Sequence, residues 1–303
     1  MIQQKSSCST VAHPSTLHHW MEEIGLPSRS LCNSSAIHDR TLTARISQSK
    51  FTYVFPVSPG SKFVRLYFYP VAYSNLDISK SFFSVEANDY TLLSNFSASL
   101  TVSAMQPPAA AIVKEFVITI QVNQMLNITF NPSLPSLKSF AFINGIEIVS
   151  MPDSLYIHGN DSPLTNVGID YPFYLDNTTG LETVYRLNVG GRDIDGSDDT
   201  GMYRKWVQDS NYIFGAAFGV VSISKVKINY TKSTPAWVAP ELVYSTMRSM
   251  GPRRKVNIKY NLTWIFPVDT GFNYLVRLHF CETRLEVTQG IPADENLIPK
   301  VII

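Results

Sequence analysis

Seven asparagines stand in Asn-x-Ser/Thr triplets: Asn33, Asn95, Asn127, Asn160, Asn177, Asn229 and Asn261. Such a triplet lets a side-chain amide accept an oligosaccharide in the secretory pathway. Asn131 is followed by proline and is excluded. With 18 asparagines and 54 serines plus threonines in 303 residues, chance supplies about three such triplets. The excess is roughly twofold. Bulky, hydrated glycans suit a surface built from a chain only 16% charged.

Other constellations are weaker. Asp193, Asp195, Asp198 and Asp199 gather four carboxylates around Gly196. Calcium takes oxygen ligands at such spacing, but no bidentate glutamate follows at the required distance, so a solvated turn is the better expectation. Gly190, Gly191 and Gly196 lack both the spacing and the lysine of a phosphate cradle. His13, His18 and His19 have no following partner ligands, which leaves a polar tail rather than a metal site. Cys281 lies beside His279 and Glu282, among residues that packing explains better than nucleophilic chemistry. No Gly-x-Ser-x-Gly elbow, His-Glu-x-x-His or kinase catalytic loop occurs, so the expectation is no enzyme, no catalytic residue, no metal site and no cofactor. Phe63, Arg65, Tyr67 and Tyr69 alternate along one stretch and present rings and hydrogen-bonding groups to one side. Such a face either contacts a sugar or peptide or covers the sheet from its other side.

Composition bounds the rest. The chain is 45% hydrophobic with net charge +1, which excludes disorder and leaves no electrostatic footprint for nucleic acid or anionic membrane. Cys8, Cys32 and Cys281 are too few for a disulfide scaffold. No apolar run is long enough to span a bilayer, and the first residues lack the apolar core of a secretory leader. Residues 1–35 read as a poorly ordered tail, with one short helix over 15–25.

From residue 41 onward, short runs rich in Val, Ile, Phe, Tyr and Thr alternate with Pro, Gly, Asn, Asp and Ser. The run 62–69 (KFVRLYFY) sets Val64, Leu66 and Phe68 on one face, the period-two signature of a strand. Further strands are expected over 51–57, 81–85, 112–122, 126–130, 139–149, 184–189, 225–230 and 256–266. Within this body only 200–209 offers a helix, with a loop carrying Trp206 as the other reading. The pattern predicts an all-β protein of antiparallel sandwiches. An internal repeat supports this: 51–68 reads FTYVFPVSPGSKFVRLYF and 262–280 reads LTWIFPVDTGFNYLVRLHF. Phe55-Pro56-Val57 aligns with Phe266-Pro267-Val268, Gly60 with Gly271, and Val64-Arg65-Leu66 with Val276-Arg277-Leu278. Thr43-Ala44-Arg45 finds an echo in Thr246-Met247-Arg248. The second copy drops the aromatics but keeps the arginine, which points to a structural role for Arg65 and Arg277.

These stretches, together with YTLLSNFSA (90–98), AFINGIEI (141–148), YRLNVGG (185–191) and Asp199-Thr200-Gly201, resemble the extracellular region of plant malectin-like receptor kinases of the FERONIA type. The likeness runs almost continuously over 36–283. It implies two tandem jelly-roll β-sandwiches: a first module over 36–153 lacking its start, a linker and turn region over 154–183, and a second over 184–303 lacking its closing strands. In such a second module Trp264, Phe266, Val276, Leu278 and Phe280 want an opposing sheet, so it is expected to be the less stable half.

The resemblance implies a cell-surface ectodomain on the extracellular face of the plasma membrane. It would bind pectin-like cell-wall polysaccharide, or a rapid-alkalinisation-factor peptide together with a GPI-anchored co-receptor, and leave catalysis to a kinase elsewhere. A soluble kinase-less lectin or decoy, or a non-functional truncated product, are the alternative readings.

Overall fold

A computed structural model of the chain describes residues 43–73, 76–121, 125–133, 138–156, 164, 171, 173–175, 178–215, 218–225, 227–251, 255, 259–281 and, as backbone, 300–302. The tail 1–35, its expected helix, and the asparagines at 33, 160 and 177 lie outside the described residues. The fold is all-β. In chain order the first strands are β1 (Arg45–Ser47), β2 (Phe51–Phe55), β3 (Gly60–Phe68), β4 (Phe83–Ala87), β5 (Tyr90–Phe96), β6 (Ile112–Ile120), β7 (Leu126–Pro132), β8 (Ala141–Ile143), β9 (Gly145–Ser150) and β10 (Leu181–Thr183). Then follow β11 (Leu187–Asn188), β12 (Val207–Gln208), β13 (Val220–Ile223), β14 (Thr246–Ser249), β15 (Val276–Leu278) and β16 (Lys300–Ile302). Two short helices, α1 (Ala98–Ala104) and α2 (Glu241–Ser245), interrupt them. Two compact units emerge, one drawn from 1–159 and 176–184, the other from 160–175 and 185–303.

The first unit is a sandwich of two four-stranded sheets, ordered β10-β6-β3-β9 and β2-β7-β4-β5, with β1 paired to β8 at the side. Alternation decides which side chains face inward. In β3, Val64, Leu66 and Phe68 enter the core; from the other sheet come Phe83, Val85, Ile128 and Phe130. The Phe83 ring touches Phe68, Phe96 and Phe142 at centroid distances of 5.8, 5.7 and 5.9 Å. Each buried side chain of this size contributes about 1.5–3 kcal/mol by leaving water. Helix α1 starts at Ser97, whose hydroxyl accepts from the Leu100 amide and supplies the first turn with an acceptor.

The second unit has shorter pairings: β11 with β12 in parallel, β13 with β14 and β15 with β16 antiparallel. Its core holds Ile194, Trp206, Ile228, Ala239, Val243 and Tyr244, with Cys281 packed against them.

Several expectations need correction. Residues 200–209 are not helical: Tyr203 has φ +55, outside the helical region, and Trp206 bridges Ile194 before β12 begins. The expected strand over 225–230 is extended coil at its described residues. Over 256–266 only Trp264 pairs, with Ile213, among the described residues. Helix α1 and strands β5, β13 and β14 were not anticipated.

The repeat is real in local geometry. Gly60 and Gly271 take φ of +99 and +84, a conformation that disfavours any side chain, and each precedes a Val-Arg-Leu strand. The sheet neighbours nevertheless differ. β3 lies between β6 and β9, whereas the described partner of β15 is β16.

Candidate functional site

The row Phe63, Arg65, Tyr67 lies on the side of β3 opposite the core. Register sets Arg65 directly across from Glu115 of β6 and Glu147 of β9. Its Nε donates to Glu115 at 2.6 Å, its Nη1 lies 3.1 Å from Glu147, and the Tyr67 hydroxyl donates to Glu147 at 2.7 Å. The guanidinium stands 5.1 Å over the Phe63 ring, which meets Tyr156 edge-on at 6.2 Å. Burial works to lower the Arg65 pKa, but the two carboxylates outweigh it and raise it. Burial, then Glu147, pushes the Tyr67 phenol far up. Phe63 and Arg65 are buried and Tyr67 and Tyr69 half-buried, so an incoming ligand finds only part of the two tyrosines. The Tyr69 amide donates to Asn144 Oδ1 and its carbonyl accepts from Tyr73.

In the second unit the acidic loop divides by function. Asp199 turns inward and holds Arg204, whose side chain is 1% exposed, through Nε at 2.8 Å and Nη2 at 2.9 Å. The same guanidinium donates to Thr200 Oγ1 and to the Trp237 and Val238 carbonyls. Asp193 accepts from the Gln208 amide, while Asp195 and Asp198 face solvent. A second inward carboxylate, Asp209, accepts from four donors: the Gly190 amide, Arg248 Nε and Nη2, and Trp264 Nε1. Burial works to raise the pKa of both aspartates; hydrogen bonds from Arg204, and from Arg248, Gly190 and Trp264, win and hold both low. Sequence reading missed Arg204 and Asp209. The arginine of the Thr246-Met247-Arg248 echo was the available signal, since an arginine repeated in place asks for a carboxylate.

His279 is packed against Trp206 and Tyr244, ring centroids 5.6 and 5.7 Å away, and its Nδ1 lies 3.2 Å from the Tyr244 hydroxyl. Burial, then the charges of Arg277, Arg204 and Arg186, push its imidazole down to about 3. Such a ring stays neutral at physiological pH. Glu282 lies outside the described residues. Tyr185, Tyr212 and Phe266 form a ring trio at 5.1–5.4 Å, closed by the Tyr185 hydroxyl donating to the Pro267 carbonyl. Around it Phe214, Phe218 and Phe272 are exposed.

The asparagines at 95, 127, 229 and 261 are all exposed. Among the described residues, no group of three or more His, Cys, Asp or Glu side chains is placed to hold a metal ion, and no helix is long and apolar enough to cross a membrane. What the chemistry offers is a rigid sandwich, wired loops and exposed rings, which are means of recognition.

The malectin-like domain family matches residues 28–290. Receptor-like protein kinase FERONIA of Arabidopsis thaliana is 52% identical over 250 residues, which is 82% of this chain and 27% of that protein. The chain therefore spans little more than a quarter of this curated relative. A crystal structure of FER with the peptide RALF23 and LLG2 matches with TM-score 0.72 and 52% identity, over 80% of this chain and 62% of that one. The ANXUR1 extracellular domain of Arabidopsis thaliana matches with TM-score 0.74 and 44% identity over 80% and 62%. By sequence and by fold alike, this chain belongs to the malectin-like domain family and is similar to the extracellular regions of FERONIA-type receptor-like kinases.

Proposed function

We propose that these residues are the extracellular ligand-binding region of a malectin-like receptor-like kinase, built as two tandem malectin-like modules and without catalysis of their own. The ligand is a rapid-alkalinisation-factor peptide taken together with a GPI-anchored co-receptor. Pectin-like wall polysaccharide is a second ligand class. The observation that carries the reading is the 52% identity, over four-fifths of this chain, to a receptor solved with RALF23 and LLG2. The described structure supports it physically: recognition loops need a scaffold that does not yield, and the first unit supplies one.

The test is calorimetry on the secreted chain with RALF23-type peptide, with and without an LLG2-type co-receptor. A ternary complex that co-elutes is expected. A folded, monodisperse sample that gives neither heat nor co-elution contradicts the reading. De-esterified pectin, titrated separately, tests the second ligand class. New reducing ends in that pectin after incubation with pure protein would overturn the non-catalytic reading.

A further inference from the structure

We infer that Asn95 and Asn127 carry N-linked oligosaccharides, which together cover the outer face of the β2-β7-β4-β5 sheet. The inference rests on the extracellular reading above, since only a secreted chain meets the modifying machinery.

Three observations converge. First, both side chains are exposed and neither amide makes a hydrogen bond among the described residues. The asparagines wired into the fold are different ones, and none begins a sequon. Asn144 donates to the Thr43 carbonyl and Tyr73, Asn188 to the Arg192 carbonyl, and Asn88 accepts from the Asn127 amide. A glycan on Asn95 or Asn127 therefore costs the fold no contact.

Second, both lie on one face. Alternation in β7 turns Leu126, Ile128 and Phe130 inward and Asn127, Thr129 and Asn131 outward. Asn131 stands opposite Ser84 of β4, whose hydroxyl accepts from the Asn95 amide at 3.1 Å. Strand rise and spacing place the two asparagines about 15 Å apart, with exposed Glu86 on the same face.

Third, the sequon hydroxyls are already in use. Ser97 caps α1, and Thr129 Oγ1 lies 2.8 Å from Thr52 Oγ1. Transfer therefore precedes the folding of these strands, and the finished fold leaves each modified nitrogen in solvent. In that transfer the asparagine Nδ2 forms a bond to the anomeric carbon of a lipid-pyrophosphate-linked oligosaccharide. The carbon–oxygen bond to the pyrophosphate breaks, the lipid pyrophosphate leaves, and the amide gives up one proton.

The experiment expresses the full chain behind a secretory leader in a eukaryotic host and maps glycopeptides by mass spectrometry. Expected is occupancy of both sites in most molecules, with one mobility step lost in each of N95Q and N127Q. Carbodiimide labelling of Glu86 should run about threefold slower in the glycosylated protein than in the N95Q/N127Q double variant. Unmodified Asn95 and Asn127 in secreted, folded protein overturn the assignment, and equal labelling rates overturn the coverage. Neither readout involves peptide or polysaccharide, so a failure to bind ligand would count against the proposed function alone.

Discussion

The two units hold themselves together by different means. The first buries a continuous aromatic and aliphatic core between two four-stranded sheets. The second has a small core and two inward-facing arginine–aspartate pairs, Arg204–Asp199 and Arg248–Asp209. Exposure follows the same line: Phe214, Phe218, Phe266, Phe272 and Phe280 are all exposed in the second unit, whereas the exposed large apolar residues of the first are aliphatic. Apolar burial is indifferent to pH and to the loss of any one partner's charge. A buried ion pair is not, because removing one member strands the other in a poor dielectric. The first unit should therefore tolerate acid and fail by cavity formation, while the second fails when its charges are disturbed.

The strongest way to break this contrast is to delete one charge. Arg204→Met strands the Asp199 carboxylate and the Trp237 and Val238 carbonyls, and should cost about 3–5 kcal/mol. Three of the four tryptophans, Trp206, Trp237 and Trp264, lie in the second unit, so the loss should appear as a red shift in tryptophan emission at a temperature where far-UV circular dichroism keeps the signal of the first unit. Arg204→Met combined with Asp199→Leu should recover part of it, since no lone charge remains. In the first unit the comparable injury is a cavity: Phe83→Ala should cost about 3–5 kcal/mol, read as a lowered melting temperature that does not change between pH 5 and pH 7.

Acid comes next in size. His279 titrates in the fold at about 3, below its ordinary value of 6.5. The unfolded chain then binds more protons between those values, so the stability this group confers is full above about pH 6.5 and is lost as pH falls toward 3. The slope reaches about 1.4 kcal/mol per pH unit. Asp199 and Asp209 are also held low, so what they confer is present above the ordinary carboxylate range and disappears below it. His279→Phe should flatten the upper part of this profile, measured as the melting temperature of the tryptophan signal against pH. The smallest effect belongs to the surface. Phe272, 71% exposed, replaced by serine should change stability by less than about 0.5 kcal/mol and reduce aggregation seen by light scattering.

How much of this the sequence disclosed follows the same division. The strands of the first unit were legible because alternation writes burial directly into residue type: Val64, Leu66 and Phe68 against Phe63, Arg65 and Tyr67. Strand β5 escaped because Leu92 and Leu93 are both buried at an irregular register, which erases period two. In the second unit, 200–209 carries helix-forming residues, but the contacts of Arg204 with Asp199 and two distant carbonyls impose another path. Such contacts join residues 5 to 34 positions apart and leave no periodic trace. The Arg65 row read as either ligand surface or packing from sequence; only the register that sets Glu115 and Glu147 beside Arg65 describes its surroundings.

The most direct test of the contrast is hydrogen exchange of the intact chain at pH 7 and again at pH 4.5, with intrinsic rates corrected for pH. Protection of β3, β6 and β7 should be the same at both values, while protection of β12, β14 and the backbone around Trp206 should fall by tenfold or more at pH 4.5. Equal loss in the two sets of segments, or retention in both, would contradict the account.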